Sequence, residues 1–164
     1  MLRTSVLAVA LVSISLVACA KKPVTRDLET TSAQIPRANV NVSEDLIALC
    51  KIQFGDASRA PKFDYDEAQL LPEDKDVLEQ VARCVTTGPL KGRRLTLVGR
   101  ADPRGEAEYN MILGDHRADS VRDYLAKLGV STNKMEQTSR GELDAEGSDE
   151  DTWRRDRRVD VNLK

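Results

Sequence analysis

A chain of 164 residues holds one ordinary domain with some length to spare, and is too short for two full-sized domains. Hydrophobic residues at 40% and charged residues at 32% describe a folded, soluble body, and aromatics at 4% exclude an extended base-stacking surface. The formal net charge of -2, from 25 basic and 27 acidic residues, argues against nucleic acid or any other polyanion as a partner.

The first element in chain order is a targeting signal. Met1-Leu2-Arg3-Thr4 precedes an apolar run from Val6 to Val17 broken only by Ser13 and Ser15. A membrane-spanning helix needs about 20 apolar residues, so this run reads as a secretory signal rather than a span. Its end, Leu16-Val17-Ala18-Cys19, resembles the lipobox of bacterial lipoproteins. The resemblance implies a signal peptide over residues 1–18 and a lipidated Cys19 as the new N-terminus. One acyl chain binds a membrane only marginally, whereas several anchor it stably. Ala20 stands where an Asp commonly retains lipoproteins in the inner membrane, which implies an outer-membrane anchor facing the periplasm. Residues 19–43 are polar, carry Pro23 and Pro36 and show no periodicity, so they read as a flexible tether.

The remainder, residues 44–164 with a core over 62–163, alternates strand and helix signals. Ser43 caps a short helix ending near Cys50. Lys62-Phe63-Asp64-Tyr65 reads as a strand. Pro72 opens a helix that turns Val77, Leu78, Val81, Ala82 and Val85 inward, and Gly88-Pro89 stops it. A strand over Arg94 to Gly99 leads into a turn at Asp102-Pro103-Arg104-Gly105. A long helix then runs from about Glu106 to Leu128, where Gly129 ends it. A weaker strand covers Met135 to Ser139, and an acidic loop covers Glu142 to Asp151. The last strand spans Arg157 to Leu163, with Val159 and Val161 alternating with polar neighbours. The order is β-α-β-α-β-β: an α/β (α+β) sandwich with a small mixed sheet and helices on one face.

Cys50 and Cys84 both fall on inward faces of amphipathic segments. In an oxidising compartment that pairing favours a disulfide over two buried free thiols. The bridge would close a loop of about 34 residues and contribute ~3.8 kcal/mol in the chain-entropy account.

The long helix carries the sharpest signal. On a wheel of about 100° per residue, Arg117 and Asn110 fall within the apolar stripe formed by Tyr109, Leu113, Val121, Tyr124, Leu125 and Leu128. A guanidinium on that face is unfavourable unless something pairs with it. The nearest upstream candidate is Asp102, either as half of a binding pair or as a bridge that merely fastens loop to helix.

These residues belong to a longer pattern. Gly99-Arg100-Ala101-Asp102-Pro103-Arg104-Gly105, followed by Tyr109-Asn110, Leu113-Gly114, Arg117-Ala118 and Val121, resembles the motif of the OmpA-like carboxy-terminal domain. Phe63-Asp64-Tyr65-Asp66 is similar to the first strand of that domain, and Asp156-Arg157-Arg158-Val159 to its closing segment. The resemblance implies a non-catalytic module that binds peptidoglycan through the diaminopimelate of the stem peptide, without a cofactor. Asp102 would take the ligand ammonium and Arg117 its carboxylate in a bidentate fit. Asn110 would hold loop or ligand, while Phe63, Asp64, Arg104 and the backbone at Leu113 would line the groove. With a lipobox and tether in front, it also implies an outer membrane joined to the wall through the N-terminal lipid, with Tol-system proteins as partners. Arg100 replaces the usual His and is expected to add positive charge beside the site; Asp156 replaces the usual Asn.

Other features carry less. His116 has no second ligand at metal spacing, and Asp144 to Asp149 fails the calcium-loop spacing. Trp153-Arg154-Arg155 reads as a surface helix end. A wall-cleaving enzyme would need a nucleophile with a base, a metal, or two carboxylates across a cleft, and the sequence offers none of these sets. The alternative to wall binding is a related lipoprotein whose domain serves mainly as a protein-interaction module. Cys19→Ser is expected to abolish lipidation and leave the precursor unprocessed; palmitate labelling that persists in the variant would contradict the lipoprotein reading.

Overall fold

The alternating and helical apolar periods close into one mixed sheet with helices laid against it. The structure, a computed structural model, describes residues 40–54 and 63–164. The signal run, the lipobox with Cys19, residues 19–39 of the expected tether and Lys62 lie outside the described residues. The elements in chain order are β1 (Val40–Val42), α1 (Glu44–Cys50), α2 (Pro72–Thr86), β2 (Leu95–Arg100), α3 (Ala107–Lys127), β3 (Met135–Gly141), α4 (Glu150–Asp156) and β4 (Val159–Leu163). The sheet order is β1-β4-β2-β3, with β1 parallel to β4, β2 parallel to β3 and β2 antiparallel to β4. The expected small mixed sheet is therefore present.

Leu95 and Leu97 of β2 and Val159 and Val161 of β4 share one buried side, where they pack with Leu78 and Val81 of α2 and Val121 and Leu125 of α3. Pro72 opens α2 as expected, and the Asp74 carboxylate accepts a hydrogen bond from the Leu71 amide at 3.1 Å. Where α3 crosses β2 the two backbones touch. A Cβ built on Gly99 would lie 1.7 Å from the Gly114 carbonyl oxygen, so only glycine fits the crossing. That contact seats the first half of α3 against the C-terminal end of β2.

Three expectations are corrected. The first strand is not Lys62–Tyr65: Phe63 and Asp64 are irregular, and Tyr65 and Asp66 form a turn in which Asp66 adopts φ 62°. The carbonyls that a strand would offer to a ladder are committed here to arginines, as described below. The first strand is instead β1, inside the segment read as tether; its Val-x-Val alternation pairs Val40 with Val159 and Val42 with Val161 and buries Val42. The acidic loop ends early, because Asp149 caps α4 by accepting the Thr152 amide at 2.9 Å.

Cys50 and Cys84 are bonded, with Cα atoms 5.6 Å apart, fastening α1 to α2. A seven-residue helix such as α1 is too short to persist by itself, so the bond and the burial of Leu46 hold it. Replacing both cysteines by Ala should lower unfolding free energy by up to ~3.8 kcal/mol, read from urea melts of the oxidised parent and the variant. Coincident melts would show that the bond adds nothing.

Candidate functional site

The end of β2, the turn after it, the first half of α3 and the Tyr65–Asp66 turn surround an open cleft of about 300 Å³, a figure that includes open solvent at its mouth. Its lining includes Asp102, Arg104, Asn110, Leu113 and Arg117, so five of the seven expected binding residues meet there. Phe63 and Asp64 stand behind it instead. The Phe63 ring is fully buried and lies 5.1 Å from the Arg117 guanidinium, while Asp64 contributes its main-chain carbonyl.

Arg117 is 0% exposed, as its place on the helix wheel requires. Its N–H groups donate to three main-chain carbonyls: Nε to Glu67 at 2.8 Å, Nη1 to Arg100 at 2.8 Å and Nη2 to Asp64 at 3.2 Å. Among the described residues no carboxylate lies within ion-pair distance of it. Burial, followed by repulsion from Arg157, lowers its pKa to about 10. The Asp102–Arg117 bridge that the sequence left open as one reading is therefore not formed, and Arg117 remains a buried cation held by carbonyl dipoles and the Phe63 ring.

Asp102 follows β2 and is almost fully buried. Its Oδ1 accepts from the Arg104 amide at 3.1 Å and from Arg104 Nε at 3.1 Å; Oδ2 accepts from Arg104 Nη2 at 2.7 Å and from Arg157 Nη1 at 2.9 Å. Burial would raise the carboxyl pKa, but the hydrogen bonds from Arg104 and Arg157 outweigh it and hold the group below its ordinary value. Asn110 shapes the turn: its amide donates to the main-chain carbonyls of Asp102 at 3.2 Å and Arg104 at 3.0 Å, and also to Glu142.

Several contributors escaped the sequence reading. Arg157, 3% exposed at its side chain, donates Nε to the Phe63 carbonyl at 2.7 Å and Nη2 to Glu150 at 2.8 Å. Strand parity could have found it, since it alternates in step with buried Val159 and Val161. Tyr65 and Asp66 line the cleft, and Tyr109, placed on the buried stripe from sequence, is instead 50% exposed and donates its hydroxyl to Asp66. Trp153 lies over Arg104, with the guanidinium carbon 4.2 Å from the ring centroid.

Both departures from the motif find partners, and Arg100 does so against expectation. Arg100 adds no charge to the cleft. Its side chain leaves the opposite face of the sheet to pair with Asp160 at 2.8 Å and with Asp144, and only its carbonyl reaches Arg117. Asp156 needs no amide, because both of its oxygens accept main-chain N–H groups, from Glu146 at 3.1 Å and Gly147 at 2.9 Å.

The fold and this motif-built cleft define a family. The OmpA family profile matches residues 62–159, and the chain belongs to the OmpA family. Its relatives include a peptidoglycan-associated lipoprotein of Pseudomonas putida, 41% identical over 101 residues, covering 60% of this chain and 59% of that protein. Another is a peptidoglycan-associated lipoprotein of Brucella melitensis, 37% identical over 99 residues, covering 59% of this chain and 58% of that protein. The chain thus spans under two thirds of the length of these relatives. Among solved structures, the peptidoglycan-associated lipoprotein from Burkholderia pseudomallei superposes with a TM-score of 0.59 at 35% identity, covering 63% of this chain and 88% of that one.

The Asp102 geometry fixes a pH signature. A carboxyl held below its ordinary value in the folded state binds protons more readily when unfolded, so its contribution is complete above about pH 4. It is lost as pH falls through the folded-state value. In urea melts, the gap between the parent and Asp102→Asn should stay constant from pH 7 to about pH 4 and shrink below it. A gap that widens on acidification would contradict the pairing.

Proposed function

We propose that the chain is an envelope lipoprotein whose OmpA domain binds peptidoglycan non-covalently, gripping the free end of a diaminopimelate side chain. The observation that carries the reading is Arg117: a buried cation held by carbonyl dipoles and, among the described residues, without a carboxylate at ion-pair distance. An incoming carboxylate would supply the missing charge in a water-poor setting, where a charge-assisted hydrogen bond is worth most. The ligand ammonium is assigned to Asp102, on the same cleft wall. The names of the Pseudomonas and Brucella relatives support the same reading. Lipidation at Cys19 would hold the protein on the outer membrane facing the periplasm, so that one chain links membrane and wall. The Tol-system proteins are the candidate partners beside the wall, on the family resemblance.

Varying the ligand tests this without disturbing the fold. Full-length protein in detergent should sediment with purified sacculi, and free diaminopimelate should release it. Pimelate has the carboxylates without the ammonium groups, and cadaverine the reverse. A hydrogen bond to a charged group contributes ~1.5–3 kcal/mol, so each analogue should compete at least ~10-fold more weakly. Equal competition by cadaverine would remove Arg117 from the site. Sacculus binding indifferent to diaminopimelate would end the reading.

A further inference from the structure

The Asp102 carboxylate is already fully occupied. A carboxylate offers about four acceptor positions, and Arg104 and Arg157 fill them from two sides. The two arginines differ in permanence. Arg157 is buried and pinned at each nitrogen, to Phe63, Asp102 and Glu150. The Arg104 side chain is 31% exposed and borders the cleft, with its guanidinium carbon between the rings of Tyr65 and Trp153 at 4.3 and 4.2 Å. Its Nη1 also lies 3.3 Å from Glu150.

We propose that Arg104 is an intramolecular latch, whose guanidinium occupies the ammonium half of the site and must leave Asp102 before a zwitterionic ligand can bind. This inference rests on the diaminopimelate reading above and adds a specificity role to it. The flat guanidinium can slide along the two rings and release Asp102 while keeping both aromatic faces and the Glu150 carboxylate that its Nη1 already meets. Latched, Arg104 covers the Asp102 carboxylate, and the lining charges left uncovered are Arg117 and Asp66, which accepts the Tyr109 hydroxyl. Unlatched, the Asp102 carboxylate opens on the same cleft as Arg117, and the two together suit a carbon bearing both an ammonium and a carboxylate. The latch therefore lowers apparent affinity for the zwitterion by the fraction of molecules that are open.

The sign of one substitution separates a latch from an ordinary ligand contact. Binding of free diaminopimelate and of pimelate to full-length protein in detergent is measured by calorimetry for the parent, Arg104→Gln and Arg104→Lys, with melting temperatures for each. The latch predicts diaminopimelate binding about 10-fold tighter in Arg104→Gln, for a latch open in roughly a tenth of molecules. Arg104→Lys, which keeps the charge without the planar fork, should fall between the two, and pimelate should bind Arg104→Gln no better than the parent. If Arg104→Gln melts far below the parent, Arg104→Lys carries the comparison. Parent binding with unchanged or weaker affinity in folded variants overturns the latch and leaves the diaminopimelate reading standing. Failure of the parent and both variants to bind diaminopimelate overturns the two together.

Discussion

Everything around the cleft is arranged to keep one positive charge out of water without neutralising it. Arg117 sits on the packed face of α3, where an unpartnered guanidinium would ordinarily be excluded. The chain satisfies it with the carbonyls of Asp64, Glu67 and Arg100. One of those, Asp64, belongs to the segment read from sequence as a strand, and Glu67 follows it closely. The irregular backbone at residues 63–67 agrees with this, since a carbonyl given to an arginine is unavailable to a ladder.

A second requirement follows from the first. Arg157 lies near Arg117 and repels it, so the pair can coexist only if something nearby is firmly negative. Asp102 does this by binding Arg157 directly, and the turn that carries it is fixed by Asn110 at two carbonyls. Three charged side chains and one amide therefore form a mutually dependent set at the end of β2. The close passage of α3 over Gly99 and Gly114 supplies the rigid floor beneath them.

Much of this was legible from residue spacing. The helical period alone puts Arg117 and Asn110 on the buried face, and the motif puts Asp102 at the strand end. Strand parity would also have shown that Arg100 faces away from α3, since it alternates with buried Leu95, Leu97 and Gly99, and that Arg157 faces inward. What spacing cannot show is partner choice. Nothing in a run of Asp, Pro and Arg says that the arginine folds back onto the aspartate two residues earlier. Nor does Phe-Asp-Tyr-Asp reveal that its carbonyls serve distant arginines, because those bonds exist only after the chain has closed on itself. β1 escaped for a related reason: three residues gain strand character only by docking beside β4.

The parallel pairing of β1 with β4 has a mechanical side. Val40, where the chain enters the sheet, is paired with Val159, beside Arg157 and at the cleft end of the molecule. In the proposed linkage, a membrane pulling on the N-terminus while the wall holds the cleft would load the short β1–β4 ladder first. Most of the core would lie outside that line of force. Were β1 to peel away, the released chain could lengthen only as far as Cys50, about 35 Å at full extension. Beyond that point the load would pass through a covalent sulfur bridge into α2. The arrangement would give the proposed linkage a compliant first stage with a hard stop behind it.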